Sequence, residues 1–138
     1  TIYAECGGLM YLTEAIRDGE GKRHEMVGVF PAEAIMRKAG MTLGYRTVET
    51  VRPCLLGPSG TTLRGHEFHY SMLEPTGDLQ YSCRLLDAAG KPVGDDGLTS
   101  GNVLALYSHQ HFGSRPDVVA NLLNAVRPER AHQAVKDT

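Results

Sequence analysis

Two stretches of the chain repeat their apolar side chains with the period of an α-helix. Residues 7–16 do so immediately after a cysteine, and residues 117–126 do so after Pro116, which suits the first turn of a helix. A third helix is predicted over residues 31–38, which start at a proline and are followed by Gly40. We therefore predict helices near both ends of the chain and one between them.

The other apolar runs are short and rich in β-branched residues, which is typical of strands. We predict strands over residues 1–5, 44–52, 61–73, 80–86 and 101–107. The polar or turn-rich connections are predicted to be loops, over residues 17–25, 53–60 and 87–97. Helices flanking a strand-rich middle indicate a single α/β domain, whose sheet order the pattern does not reveal.

The composition excludes several classes of protein. The 138 residues carry 14 Lys and Arg against 16 Asp and Glu, without a basic stripe, so we expect no nucleic-acid partner. No apolar stretch approaches the roughly 18 residues of a membrane span, so we expect no membrane partner. The three cysteines are odd in number and widely spaced, which favours a reducing, cytoplasmic setting over a disulfide framework.

A cysteine at a predicted strand-to-helix junction is the strongest chemical signal. Cys6 follows a short strand and precedes Gly7 and Gly8, small residues of the kind that a sharp turn holding a nucleophile requires. The start of the next helix would favour a thiolate through its backbone N–H groups and partial positive charge. The alternative is a small buried residue beside a tight turn. Cys54 and Cys83 lack helpful neighbours in the sequence, and we predict both to be inert.

A nucleophilic thiol needs a base, and the chain offers six histidines. His109 is the leading candidate, because it follows the apolar run of residues 103–107 and should emerge at the end of a buried strand. The alternative is a histidine that is satisfied in the core or in a loop. Two of the other histidines, His24 and His132, lie in polar segments and are weaker candidates.

A second polar cluster spans residues 63–71. If these residues form a strand, Glu67, His69 and Ser71 share one face, because side chains alternate along a strand. Glu67 or His69 could then orient His109 or contact a substrate. The alternative is a polar strand face on which Glu67 and His69 pair only with each other.

A metal site is a further hypothesis for the histidines. His109 and His111 would share one face of a strand, as metal-binding pairs often do, whereas His66 and His69 would not. No further cysteine or carboxylate has ligand spacing, so we predict no metal. The sequence also lacks the glycine-rich phosphate-binding motifs, and no cofactor is expected in this chain.

Three motifs together resemble the glutaminase domain of the cobyrinic acid a,c-diamide synthase family, within the class I glutamine amidotransferases. They are Ala-Glu-Cys-Gly-Gly-Leu-Met-Tyr-Leu, Gly-His-Glu-Phe-His-Tyr-Ser and Tyr-Ser-His-Gln-His-Phe, starting at residues 4, 65 and 107. The resemblance covers residues 3 to about 127. It implies a three-layer α/β sheet of flavodoxin-like type lacking its N-terminal part. Residues 1–138 would then be the C-terminal part of an amidotransferase domain.

The resemblance also implies a reaction. Cys6 would attack the side-chain amide of L-glutamine to form a thioester, with His109 as the acid and base. The backbone N–H of Gly7 would supply half of an oxyanion hole. The released ammonia would amidate the a and c acetate groups of cobyrinic or hydrogenobyrinic acid in cobalamin biosynthesis. The corrinoid, ATP and Mg²⁺ would bind a separate synthetase domain, which is absent from this sequence.

The sequence departs from the wider family at one position. Many class I members carry a glutamate two residues after the catalytic histidine. Here that residue is His111, which could itself orient His109 or contact the substrate, and Glu67 is a candidate substitute for the glutamate. The loop expected to donate the second oxyanion N–H is also absent, so the isolated chain is expected to be inactive. The alternatives are cobyric acid synthase, nickel-sirohydrochlorin a,c-diamide synthase, or a structural fragment whose open sheet edge pairs in a homodimer.

Overall fold

The computed structural model describes residues 1–127, which form two β-sheets and two α-helices. A short 3₁₀ turn, Phe112–Ser114, precedes the second helix. The elements follow one another as β1 (Ile2–Glu5), α1 (Gly7–Leu12), β2 (Thr13–Arg17), β3 (Arg23–Glu25), β4 (Phe30–Met36), β5 (Thr42–Thr50), β6 (Thr62–His69), β7 (Ser71–Pro75), β8 (Tyr81–Leu86), β9 (Pro92–Ser100), β10 (Val103–Leu106), β11 (His109–Gln110) and α2 (Pro116–Val126).

The larger sheet has seven strands in the order β1-β10-β9-β8-β5-β6-β11. Only β1 and β10 are parallel; the other neighbours are antiparallel. Only two residues separate β10 from β11 along the chain, although these strands lie five positions apart in the sheet. The sheet must therefore curl until its two edges approach each other. At that meeting point the backbone N–H of Gln110 donates to Glu5 of β1 at 2.9 Å.

The central sheet is covered on both faces, which gives three layers. Side chains of β10 alternate between two cores: Leu104 and Leu106 pack with Val118 of α2 on one face, and Ala105 packs on the other. That second core also contains Leu9 and Leu12 of α1 and Phe30 of β4. The smaller sheet, in the order β3-β2-β4-β7, lies on this second side.

Several predicted elements are confirmed. Strands β1, β5, β8 and β10 and helix α2 lie where the pattern predicts them. The predicted strand over residues 61–73 exists, but it breaks at Tyr70 into β6 and β7, which belong to different sheets. Gly65 lies inside β6 and does not interrupt it.

The predicted helices are wrong in two places. The first helix ends at Leu12, because Thr13–Arg17 pairs with strands on both sides, parallel to β4 and antiparallel to β3. The helix predicted over residues 31–38 is instead β4, whose buried residues alternate with less buried ones. Pairing with β2 and β7 decided the outcome over the weak local preference of this segment.

Two of the segments predicted to be loops contain strands. Residues 17–25 include β3, and residues 87–97 include most of β9. Strand β9 is rich in glycine and aspartate, residues that are usually depleted in strands, which explains the wrong prediction. It forms because β8 and β10 pair with it on both sides.

Candidate active site

Cys6 occupies a strained turn between β1 and α1. Its backbone has φ 49° and ψ −106°, and no other residue besides glycine among residues 1–127 has a positive φ. The turn is anchored by the N–H of Cys6, which donates to Leu106 O at 2.7 Å. A Cβ at Gly8 would lie 3.1 Å from the Cβ of Ala4, so a small residue is needed there. The predicted sharp strand-to-helix turn at Cys6 is confirmed.

The thiol of Cys6 is half-buried, and its surroundings do not favour a free thiolate. Its Sγ lies 4.0 Å from Phe68 O, within reach of a weak hydrogen bond. Burial raises the pKa of Cys6, the charge of Glu5 raises it further, and the backbone N–H of Gly7 lowers it only in part. The N–H of Gly7 thus favours the thiolate, as predicted for the start of a helix, but burial outweighs it and the net pKa is raised. A base is needed to activate this thiol.

His109 starts β11 at the point where the sheet edges meet. Its Nδ1 lies 3.7 Å from Oε2 of Glu5, the residue directly before Cys6. Its ring stacks on His66, with centroids 5.0 Å apart and planes 16° apart. The structure thus brings His109, predicted as the base, to the turn that holds the predicted nucleophile.

Glu5 was not predicted to belong to the site, although it directly precedes Cys6 in the sequence. Its Oε1 accepts hydrogen bonds from Tyr3 Oη at 2.5 Å and from the backbone of Gln110 at 2.9 Å, and its Oε2 faces His109. One feature of the sequence could have indicated it: Glu5 is a carboxylate at the last position of the short strand that precedes Cys6.

Glu67 and His69 are buried on one face of β6, as the alternation predicted. Glu67 accepts a hydrogen bond from Arg46 Nε at 2.6 Å, and its other oxygen lies 3.3 Å from His69 Nε2. Burial raises the pKa of Glu67, but hydrogen bonds from His69 and Arg46 outweigh it, and the pKa lies below its ordinary value. Among the described residues Glu67 therefore pairs with Arg46 and His69, and no contact with His109 is seen.

Tyr107 links this buried pair to the neighbourhood of Cys6. Its ring stacks on His69, with centroids 4.2 Å apart, and its hydroxyl lies 3.1 Å from Ser71 Oγ. Burial raises the pKa of Tyr107 to about 12, and the nearby thiol of Cys6 adds to this rise. The hydrogen bond with Ser71 and the charge of Arg37 oppose this rise. The Nε of Arg37 is buried and has no hydrogen-bond partner among the described residues.

The buried carboxylate of Asp96 binds the connection between β10 and β11, which leads to His109. Asp96 accepts four hydrogen bonds, from the backbones of Gly97, Tyr107 and Ser108 and from the hydroxyl of Ser108, at 2.6 to 3.0 Å. Burial raises the pKa of Asp96, although all four hydrogen bonds act to lower it. This role of Asp96 was not predicted, because the residue lies in a segment that was predicted to be a loop.

Comparison with known proteins identifies the family of this chain. Residues 1–117 match the family model of the CobB/CobQ-like glutamine amidotransferase domain. The chain belongs to this family. The resemblance read from the three sequence motifs is thereby confirmed.

Curated relatives of this amidotransferase domain carry one kind of name. The chain is 42% identical over 125 residues to the cobyrinate a,c-diamide synthase of Dehalococcoides mccartyi, covering 88% of this chain and 27% of that protein. It is 39% identical over 127 residues to that of Salmonella typhimurium, covering 91% and 28%. The hydrogenobyrinate a,c-diamide synthase of Mesorhizobium japonicum is 39% identical over 108 residues, covering 78% and 25%. The chain thus spans about a quarter of the length of these relatives.

A solved crystal structure of a glutamine amidotransferase has the same fold as this domain. The match has a TM-score of 0.53 at 19% identity and covers 89% of this chain and 59% of that one. The predicted α/β fold class of the glutamine amidotransferases is confirmed. No helix among residues 1–127 is long and apolar enough to cross a membrane.

The other histidines of the amidotransferase domain lie in different settings. His111 is exposed, and its backbone N–H donates to Arg64 O at 2.8 Å. His24 pairs with Asp18 at 2.8 Å in the smaller sheet, and His132 lies outside the described residues. Within residues 1–127 no three potential ligands gather into a metal site.

Cys54, in the turn after β5, and Cys83 of β8 form a pair. A hydrogen bond from the thiol of Cys83 lowers the pKa of Cys54 to about 7, and the partner's pKa is raised. Cys54 also lines a cavity of about 690 Å³ beside the start of β10, at Gly101 and Asn102. The prediction that Cys54 lacks helpful neighbours is therefore wrong, since its partner is distant in sequence.

Proposed function

We propose that this domain hydrolyses L-glutamine and supplies the ammonia for ATP-dependent amidation of the a and c acetate side chains of cobyrinic or hydrogenobyrinic acid. The observation that carries the proposal is the strained turn of Cys6, whose preceding residue, Glu5, lies 3.7 Å from His109. Such a turn costs roughly 1–3 kcal/mol and persists where a function requires it. Membership of the amidotransferase family supports glutamine as the substrate.

The proposed reaction begins with proton transfer from the thiol of Cys6 to the imidazole of His109. The sulfur attacks the side-chain carbonyl carbon of glutamine, and the N–H of Gly7 donates to the oxyanion that develops. His109 then returns the proton to the leaving nitrogen, so that the C–N bond breaks and ammonia departs. A water molecule, deprotonated by the same imidazole, hydrolyses the thioester and yields glutamate.

Glutamine also carries an α-carboxylate, for which a guanidinium is a suitable partner. We propose that Arg37 donates to this carboxylate through its unpaired Nε, since a buried donor without a partner is costly in the free protein. This role predicts a raised KM for glutamine in Arg37→Met.

The acceptor of the ammonia is proposed from the relatives. Two of the similar proteins are named for cobyrinate and one for hydrogenobyrinate, which supports a corrinoid acid bound by a synthetase domain together with ATP and Mg²⁺. The competing acceptors are those of cobyric acid synthase and of nickel-sirohydrochlorin a,c-diamide synthase. We propose the cytoplasm as the compartment, because all three cysteines are free thiols.

The complete protein that carries this sequence provides the test. Cys6→Ser should abolish amidation of cobyrinic acid with glutamine as nitrogen donor and leave amidation with ammonium chloride intact. Cys54→Ser is the matched control, because it removes the other accessible thiol and should leave both rates unchanged. Equal glutamine-dependent rates in Cys6→Ser and the wild type would show that Cys6 is not the nucleophile.

A structural or interaction role is the competing function. A glutamine-analogue electrophile that labels only Cys6, mapped by peptide mass spectrometry, would exclude it. An absence of glutamine-dependent activity in the complete protein, together with a stable dimer in size-exclusion chromatography, would support pairing through an open sheet edge instead.

A further inference from the structure

We propose that Glu5 is the positioning residue of His109, the carboxylate that holds the imidazole in the orientation needed to accept the proton of Cys6. The inference rests on the proposed function, because it assigns a role within the same reaction. Oε2 of Glu5 lies 3.7 Å from Nδ1 of His109. A catalytic hydrogen bond is often this long in the absence of substrate and shortens when the reaction complex forms.

The carboxylate of Glu5 is itself held in place. Its other oxygen, Oε1, accepts hydrogen bonds from the hydroxyl of Tyr3 and from the backbone N–H of Gln110. Gln110 is the residue after His109, so one carboxylate contacts both the backbone and the ring at the start of β11. Glu5 therefore joins the strand that ends at the nucleophile to the strand that begins with the base.

The other buried carboxylates near this site already have partners. Asp96 accepts four hydrogen bonds from Gly97, Tyr107 and Ser108, and Glu67 pairs with Arg46 and His69. Among residues 1–127, Glu5 contributes the only carboxylate that lies within 4.0 Å of His109.

The chemistry explains why a carboxylate at this place is useful. When Nδ1 of His109 donates to Glu5, Nε2 is left as the acceptor for the thiol proton, and the tautomer is fixed. The negative charge then stabilises the imidazolium formed when the sulfur attacks. The same charge opposes a free thiolate on Cys6, so sulfur and imidazole are favoured to change protonation together.

Glu5→Gln tests the inference in the complete protein, because glutamine keeps the size of the side chain and an amide oxygen for Tyr3 and Gln110. Loss of the charge should lower the glutamine-dependent kcat by about 10- to 100-fold and change KM by less than about twofold. The ammonia-dependent rate and the thermal midpoint report whether the protein is folded. Glu74→Gln, an exposed residue of β7, removes the same charge as the matched control.

Three outcomes distinguish the possibilities. If Glu5→Gln keeps its kcat within twofold of wild type while Cys6→Ser loses glutamine-dependent activity, the role of Glu5 is refuted and the proposed function stands. If Glu5→Gln lowers the ammonia-dependent rate and the thermal midpoint as well, Glu5 is structural and the inference fails. If Cys6→Ser retains its glutamine-dependent activity, the proposed function and this inference fall together.

Discussion

The carbonyl oxygen of His109 packs directly against Gly65. A Cβ built on Gly65 would overlap this oxygen and would lie 3.3 Å from the carbonyl carbon of the same residue. Strands β6 and β11 pair here, with His109 opposite His66 and Gln110 opposite Gly65. A hydrogen atom at position 65 is therefore what allows the strand carrying His109 to approach the sheet.

Gly65→Ala should displace His109 without touching Cys6. We expect the glutamine-dependent kcat of the complete protein to fall at least about 10-fold, because a displacement of about 1 Å at a catalytic group costs up to about 100-fold. Gly94→Ala in β9 is the matched control, since a Cβ there meets nothing within 4 Å and should leave kcat unchanged. Equal kcat values in the two variants would contradict the prediction.

Asp96 should contribute to stability through the connection between β10 and β11. Asp96→Ala leaves three backbone N–H groups and one hydroxyl without their acceptor, and we expect it to lower the free energy of unfolding by about 4 kcal/mol. Asp96→Asn should cost about half as much, because its amide oxygen can still accept from Gly97 and Tyr107. Urea unfolding at pH 7 measures both values. If Asp96→Ala lowers the free energy of unfolding by less than Asp96→Asn does, these hydrogen bonds do not account for the contribution of Asp96 to stability.

Glu67 should make stability depend on pH in the acid range. Its folded-state pKa lies below the ordinary value of 4.5, so its stabilising effect is present above pH 4.5 and is lost as the pH falls through the folded-state pKa. Glu67→Gln should therefore show a smaller loss of unfolding free energy between pH 6 and pH 3 than the wild type. Urea titrations at several pH values provide the measurement, with Glu74→Gln as the exposed control. An unchanged slope in Glu67→Gln would refute the pairing with Arg46 and His69.

Cys54 should react with a simple alkylating agent before Cys6 does. At pH 7.5 a thiol with a pKa of about 7 is mostly thiolate, whereas burial raises the pKa of Cys6 above its ordinary value. Brief treatment with iodoacetamide, followed by peptide mass spectrometry, should find the label mainly on Cys54. Cys83→Ala removes the hydrogen-bond donor and should slow this labelling. Preferential labelling of Cys6 in the free protein would contradict these assignments.

An element was predicted correctly where the local sequence pattern favours the same structure as its tertiary contacts. Helix α2 starts at a proline and has a clear apolar stripe, and β10 is an uninterrupted apolar run, so both were predicted correctly. Strands β4 and β9 were missed because alanine, glutamate, glycine and aspartate have little preference for strands. Pairing with strands distant in sequence overrides such weak local preferences.

The sequence alone determined the sharp turn at Cys6, because the requirement for small residues around it acts over only a few neighbouring positions. It also indicated His109, since a residue that follows a buried strand emerges at the strand's end. Only the tertiary structure decided which carboxylate faces His109. The curl of the seven-stranded sheet brings its first and last strands together and selects Glu5, where the sequence analysis had considered Glu67. Such a contact spans about a hundred residues along the chain, and no local pattern encodes it.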